Sequence, residues 1–131
     1  MAIEEMETGV YDFDIKAGAT FVRWIQLYLP KVNPLDPNEV PVPFPLSGFT
    51  GKAQLRKNAS AELAYEITVD VVGDGLVKIS MTKDQTSAIP YGNLITDMKS
   101  KYQWALELSS PSGTVYRPLE GHVRVSPELV K

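Results

Sequence analysis

Apolar and polar residues alternate one by one along most of this chain, and almost nowhere do apolar residues recur at helical spacing. Period two belongs to a strand with one face in a core and one in solvent, so the pattern restricts the chain to sheet architectures. In "VYDFDIK", Tyr11, Phe13 and Ile15 share one side while Asp12, Asp14 and Lys16 share the other, and Gly18 ends the run. "TFVRWIQLYL" sets Phe21, Ile25 and Leu27 against Val22, Trp24 and Tyr28. Two apolar faces predict a central strand, or one covered on both sides. Further strands follow from Phe49, Ala53 and Leu55, from Leu63, Tyr65, Ile67, Val69 and Val71, and from "LVKISMT" after the hairpin signal Gly73-Asp74-Gly75. Thr82 or Asp84 can cap a single helical turn before Pro90. Tyr102, Trp104, Leu106 and Leu108 then line one face of a strand, and "SPSG" turns the chain back.

The last strand places Val115, Leu119, Val123 and Val125 on one face, and Tyr116, Glu120, His122 and Arg124 on the other. Pro118 lacks the amide a ladder needs and Gly121 lacks a side chain, so this strand is expected at an edge or bending from one sheet toward another. Short strands separated by turns at roughly ten-residue spacing predict an all-β fold: a single antiparallel β-sandwich, Ig-like or a related barrel, of about seven strands.

With 131 residues the chain supports one core. The expected organisation is a flexible acidic N-terminus over residues 1–9 and a sandwich domain over 10–131 with a proline-rich loop at 30–46. Six of the ten prolines fall between Pro30 and Pro45, where missing donors and fixed φ exclude helix and ladder alike. Interleaved with them are Val40, Val42, Phe44 and Leu46, which a mere linker would not need. They either bind a partner or fold back over an open end of the sandwich.

Lys and Arg are scattered and the formal net charge is -3, so no footprint for nucleic acid is visible. There is no cysteine, which removes disulfides, thiolate nucleophiles and cysteine zinc sites together. "MAIEEMETG" has no basic and apolar leader pattern, and "FVRWIQLYL" is too short and too interrupted to span a bilayer. The expectation is synthesis in the cytoplasm with no membrane partner. His122, the only histidine, sits between Glu120 and Arg124 with no nucleophile at suitable spacing. Asp12 and Asp14, or Asp70 and Asp74, lack the oxygen-rich loop calcium requires. The exposed-aromatic reading of Trp24, Tyr28, Tyr91, Tyr102 and Trp104 as a sugar platform competes with their use as core and cross-strand packing. No enzyme activity and no cofactor is expected.

The order "YDFDIKAGATF", "PLSGFTGKAQLRK", "DQTSAIPYG" and "YQWALELSSPSGTVYRPLEGHVRVSPELVK" resembles a family of small phage and prophage virion proteins, over roughly residues 10 to 131. It is similar to the β-sandwich module of phage tail and baseplate components, including the N-terminal module of baseplate upper proteins. Two segments depart from that pattern: residues 30 to 45 are longer than the usual turn, and "YGNLITDMKSKYQW" carries an insertion. The resemblance implies a non-catalytic virion structural protein, a tail, baseplate or adaptor component assembled in the host cytoplasm. Its partners would be other virion proteins and copies of itself in a symmetric, multi-copy assembly. The alternatives are a capsid decoration protein or a carbohydrate-binding module for host attachment. The candidate contact residues are Val40, Val42, Phe44 and Leu46 in the proline-rich loop and Tyr91, Leu94 and Ile95 in the insertion.

Overall fold

The computed structural model describes residues 8 to 129; residues 1 to 7 of the expected flexible N-terminus lie outside them. The alternating runs form strands β1 (Gly9–Val10), β2 (Phe13–Lys16), β3 (Phe21–Gln26), β4 (Thr50–Arg56), β5 (Tyr65–Gly73), β6 (Leu76–Met81), β7 (Lys101–Ser109) and β8 (Val115–Ser126). One short helix, α1 (Lys83–Ser87), follows β6. Thr82 caps it through a capping box with Gln85, as the sequence suggests, and the chain leaves it just before Pro90.

The fold is all-β, a curled sheet in the order β1-β8-β7-β4-β5-β6-β3, with β2 beside β1 on the same edge of β8. Pairing is antiparallel except that β1 and β2 run parallel to β8, which makes the sheet mixed where a purely antiparallel one was expected. Only residues 17 to 20 separate β2 from β3, yet these strands lie at opposite ends of the order. So short a connection forces the sheet to curl until its ends meet, and the Phe13 ring stacks on Phe21 at 5.1 Å. Partway along, β5 changes partners: Tyr65, Glu66 and Ile67 pair with β4, and the residues from Thr68 onward pair with β6.

The core fills the inside of this curl with the inward residues of each strand, among them Ile15, Ile25, Leu55, Ile79, Leu106 and Val123. Leu63, expected in the fifth strand's inward row, lies before β5 and is exposed, because the strand starts only at Tyr65. The expectation that β3 is central or doubly covered is also corrected. It pairs with β6 alone among the described residues, and Trp24 is 59% and Tyr28 48% exposed.

The last strand departs from expectation in two ways. It lies inside the sheet, paired with β7 on one side and with β1 and β2 on the other, and its register with β7 shifts between Leu106 and Leu108. There Glu107 alone spans the two residues Arg117 and Pro118, so the proline occupies a bulge where its missing amide interrupts no regular ladder. The bulge also exchanges the faces. Tyr116 packs inward against Phe44 and Phe49, while Val115 is exposed. Beyond the bulge, Gly121 admits the β1–β2 junction: a Cβ there would run into the Tyr11 carbonyl oxygen and come within 2.6 Å of Asp12 Oδ1. The same carbonyl accepts a hydrogen bond from Trp104 Nε1 at 2.6 Å, and Asp12 Oδ1 accepts one from the His122 amide at 2.8 Å.

Candidate functional site

The strands sort the connections onto two opposite ends. β4 begins beside the proline-rich loop and ends at Arg56, where β7 begins, so the loop and the 91 to 100 insertion cannot share an end.

At the first end the chain leaves β3 as an arm. Its base is closed by the Leu29 amide on the Val42 carbonyl at 2.8 Å and the Phe44 amide on the Leu27 carbonyl at 3.0 Å. Glu39 braces it from within, its two carboxylate oxygens accepting the amides of Val32 at 3.0 Å and Asn33 at 2.9 Å. Lys31 Nζ donates to the Asp36 carbonyl at 3.3 Å, and Asp36 accepts the Asn38 amide in a local turn. The result is an internally bonded loop whose apolar side chains Val32, Leu35, Val40 and Val42 face solvent. After Pro43 the chain dives inward. Phe44 and Leu46 are fully buried, Phe44 edge-on to Phe49 and Tyr116, so both leave the set of candidate contact residues. The loop therefore divides: residues 44 and 46 fold back over the open end of the core, whereas 40 and 42 stay exposed.

Asp74, which sequence reasoning placed only in a turn, fixes this arrangement by accepting the Leu46 amide at 3.1 Å. Its partner hairpin residue Gly75, at φ 72°, accepts the Leu27 amide through its carbonyl at 2.7 Å. A side chain at Gly75 would strike the Leu27 carbonyl. Only the Gly-Asp-Gly composition hinted at this role, and it did not name the partner.

At the second end, Asp97 accepts the Leu94 amide at 3.1 Å, and Ser100 Oγ donates to the Leu94 carbonyl at 3.0 Å and accepts the Gly92 amide at 2.9 Å. Lys57 Nζ, lying 4.1 Å from the centre of the Tyr102 ring, donates to the carbonyls of Met98, Lys99 and Lys101. Partial burial there holds its ammonium below the usual lysine pKa. This bracing leaves Leu94 62% and Met98 76% exposed, with Tyr91 and Ile95 half-buried. Tyr91, Gly92, Asn93, Asp97, Met98 and Lys99 rim an open depression of about 350 Å³.

The outer face over β4, β7 and β8 is mainly polar, whereas β3 exposes Val22 and Trp24. His122 is solvated beside Asp12, with Nδ1 3.8 Å from Oδ1. Lys52, Gln54, Arg56, Ala105, Arg117 and Glu120 surround a shallow dip on β4, β7 and β8. Tyr102 and Trp104 are core residues, whereas Trp24 lies on the outer face of β3 with Lys78 Nζ 5.6 Å from its ring centre. Among the described residues, no three His, Cys, Asp or Glu side chains gather as metal ligands do, and no helix is long and apolar enough to cross a membrane. Compared with known family models and with curated proteins, the chain matches none.

Proposed function

We propose that this protein is a non-catalytic structural subunit of a bacteriophage virion, a tail, baseplate or adaptor component that works through protein–protein contacts. The observation that carries the reading is where the two departures from the resembled pattern fall. Each forms a loop at one end of the fold, each is ordered by its own hydrogen bonds, and each displays apolar side chains that the core does not use. Ordering such loops costs conformational entropy, and a buried contact in an assembly is what offsets it. Mass spectrometry of purified particles tests the reading: recovery in stoichiometric amount is expected, and absence from particles rejects it. Separating heads from tails before the measurement distinguishes a tail or baseplate component from a capsid decoration protein.

A second reading, a carbohydrate-binding module for host attachment, is favoured only by the exposure of Trp24 on β3 and of Tyr28 just beyond it. Titrating tryptophan fluorescence with host-surface polysaccharide checks it, and a response that survives Trp24→Ala would remove it.

A further inference from the structure

We infer that the arm at one end of the molecule docks into the depression at the opposite end of a second copy, a head-to-tail contact between identical subunits. The inference rests on the assembly reading and names the partner for these two ends.

Three observations carry it. The arm is preformed: Glu39 and Asp36 satisfy its amides, so its apolar tip is presented without a folding step. Little ordering entropy then opposes docking. The tip residue Leu35 is 91% exposed, and its backbone amide is held within the arm by Asn33 Oδ1. The opposite end offers a concave seat of mixed lining with the exposed Met98 and the half-buried Tyr91 at its rim.

The charges are complementary as well. The arm carries Lys31 against Asp36 and Glu39, with Asp74 at its base, and so is net acidic. The rim of the seat carries Lys99 against Asp97, and Lys57, bonded to the carbonyls of Met98, Lys99 and Lys101, together with Lys101 itself adds positive charge beside it, so this end is net basic. Arm-to-arm or seat-to-seat contact would bring like charges together, which disfavours an isologous dimer and favours the heterologous one. A heterologous contact repeats, each copy keeping one free arm and one free seat, until a ring closes or a filament grows.

The test uses Leu35→Asp on the arm and Met98→Asp on the seat, both at exposed side chains outside the core. In sedimentation velocity the wild type is expected to form concentration-dependent oligomers that weaken as salt rises. Each variant alone should associate at least ~10-fold more weakly. An equimolar mixture should stop at a one-to-one dimer, because only the intact arm of one variant and the intact seat of the other can meet. As the chain has no cysteine, Leu35→Cys and Met98→Cys proteins give a second readout under mild oxidation. They should cross-link to each other in the mixture far faster than either does with itself.

A monomeric wild type, variants that associate like wild type, or a mixture that cross-links no faster than its components would overturn the contact. These measurements are made on purified protein, so they fail independently of the virion reading. A protein recovered in particles but monomeric and uncross-linked loses only the head-to-tail contact, and one that self-associates but is absent from particles loses only the virion reading.

Discussion

Truncating Phe44 to alanine asks whether the end of the proline-rich loop is core or display. The ring is completely buried, with its centre 5.9 Å from Phe49 and 5.8 Å from Tyr116, both edge-on. Removing it forfeits the transfer energy of the ring and two aromatic contacts, and it opens a cavity at the mouth of the curl. Flanking Pro43 and Pro45 restrict any backbone collapse into that space. Losses for buried Phe→Ala are about 3–5 kcal/mol, and the stiff surroundings place this one at about 4. For a domain of this size that lowers Tm by roughly 12–20 °C, or the urea midpoint by about 2 M. Val40→Ala, two turns of alternation earlier on the displayed part, should stay within about 0.5 kcal/mol of wild type. Thermal and urea unfolding followed by circular dichroism measure both. A Phe44→Ala loss under about 1 kcal/mol would refute the claim that this segment closes the core.

Gly121→Ala should destabilise by about 2 kcal/mol or more, because the new methyl meets the Tyr11 carbonyl, a backbone group that cannot swing aside; urea unfolding reads the loss. Thr86→Val should cost about 1–3 kcal/mol, since the buried hydroxyl accepts the Gly18 amide at 3.1 Å and donates to the Ala19 carbonyl at 2.9 Å, and valine leaves both unpaired. Amide exchange at Gly18 should accelerate in the same variant. Burial first, and then Tyr65, push the Tyr102 phenol from its ordinary 10.0 up to about 12. Its folded pKa lies above the unfolded one, so its contribution is complete below pH 10 and is lost as the pH rises toward 12. Unfolding curves of wild type and Tyr102→Phe should therefore converge over that window, and parallel curves would contradict the assignment.

Most strands were legible because alternation is local: Phe13 and Ile15, Ala53 and Leu55, and Tyr102 to Leu108 fall inward as their spacing requires. What pairs with what was not. Val40, Val42, Phe44 and Leu46 share one parity, and nothing in that row announces that bonds at Leu27 and Leu29 take hold from Val42 onward and draw only its second half inward. The apolar outer residues of β3 suggested cover on both faces, but strand order depends on distant partners and left β3 at an edge. Pro118 and Gly121 did signal irregularity. The parity change between Tyr116 and Leu119 needed the register of β7 to be seen. At the candidate site the exposed Leu94 was legible as part of an insertion, whereas Lys57, which braces it from 41 to 44 residues away, had no local signal.

The central claim is that the ends of the molecule, and not its sheet faces, carry its function in an assembly. Replacing residues 31 to 41 by a short Gly-Ser turn removes the displayed part of the arm and keeps Val42, Phe44 and Leu46. Tm and recovery in purified particles should be measured on the same protein. The account predicts a melting temperature within a few degrees of wild type, because a surface loop adds little to the core, together with a loss of incorporation. A shortened protein that folds and enters particles as efficiently as wild type would contradict it.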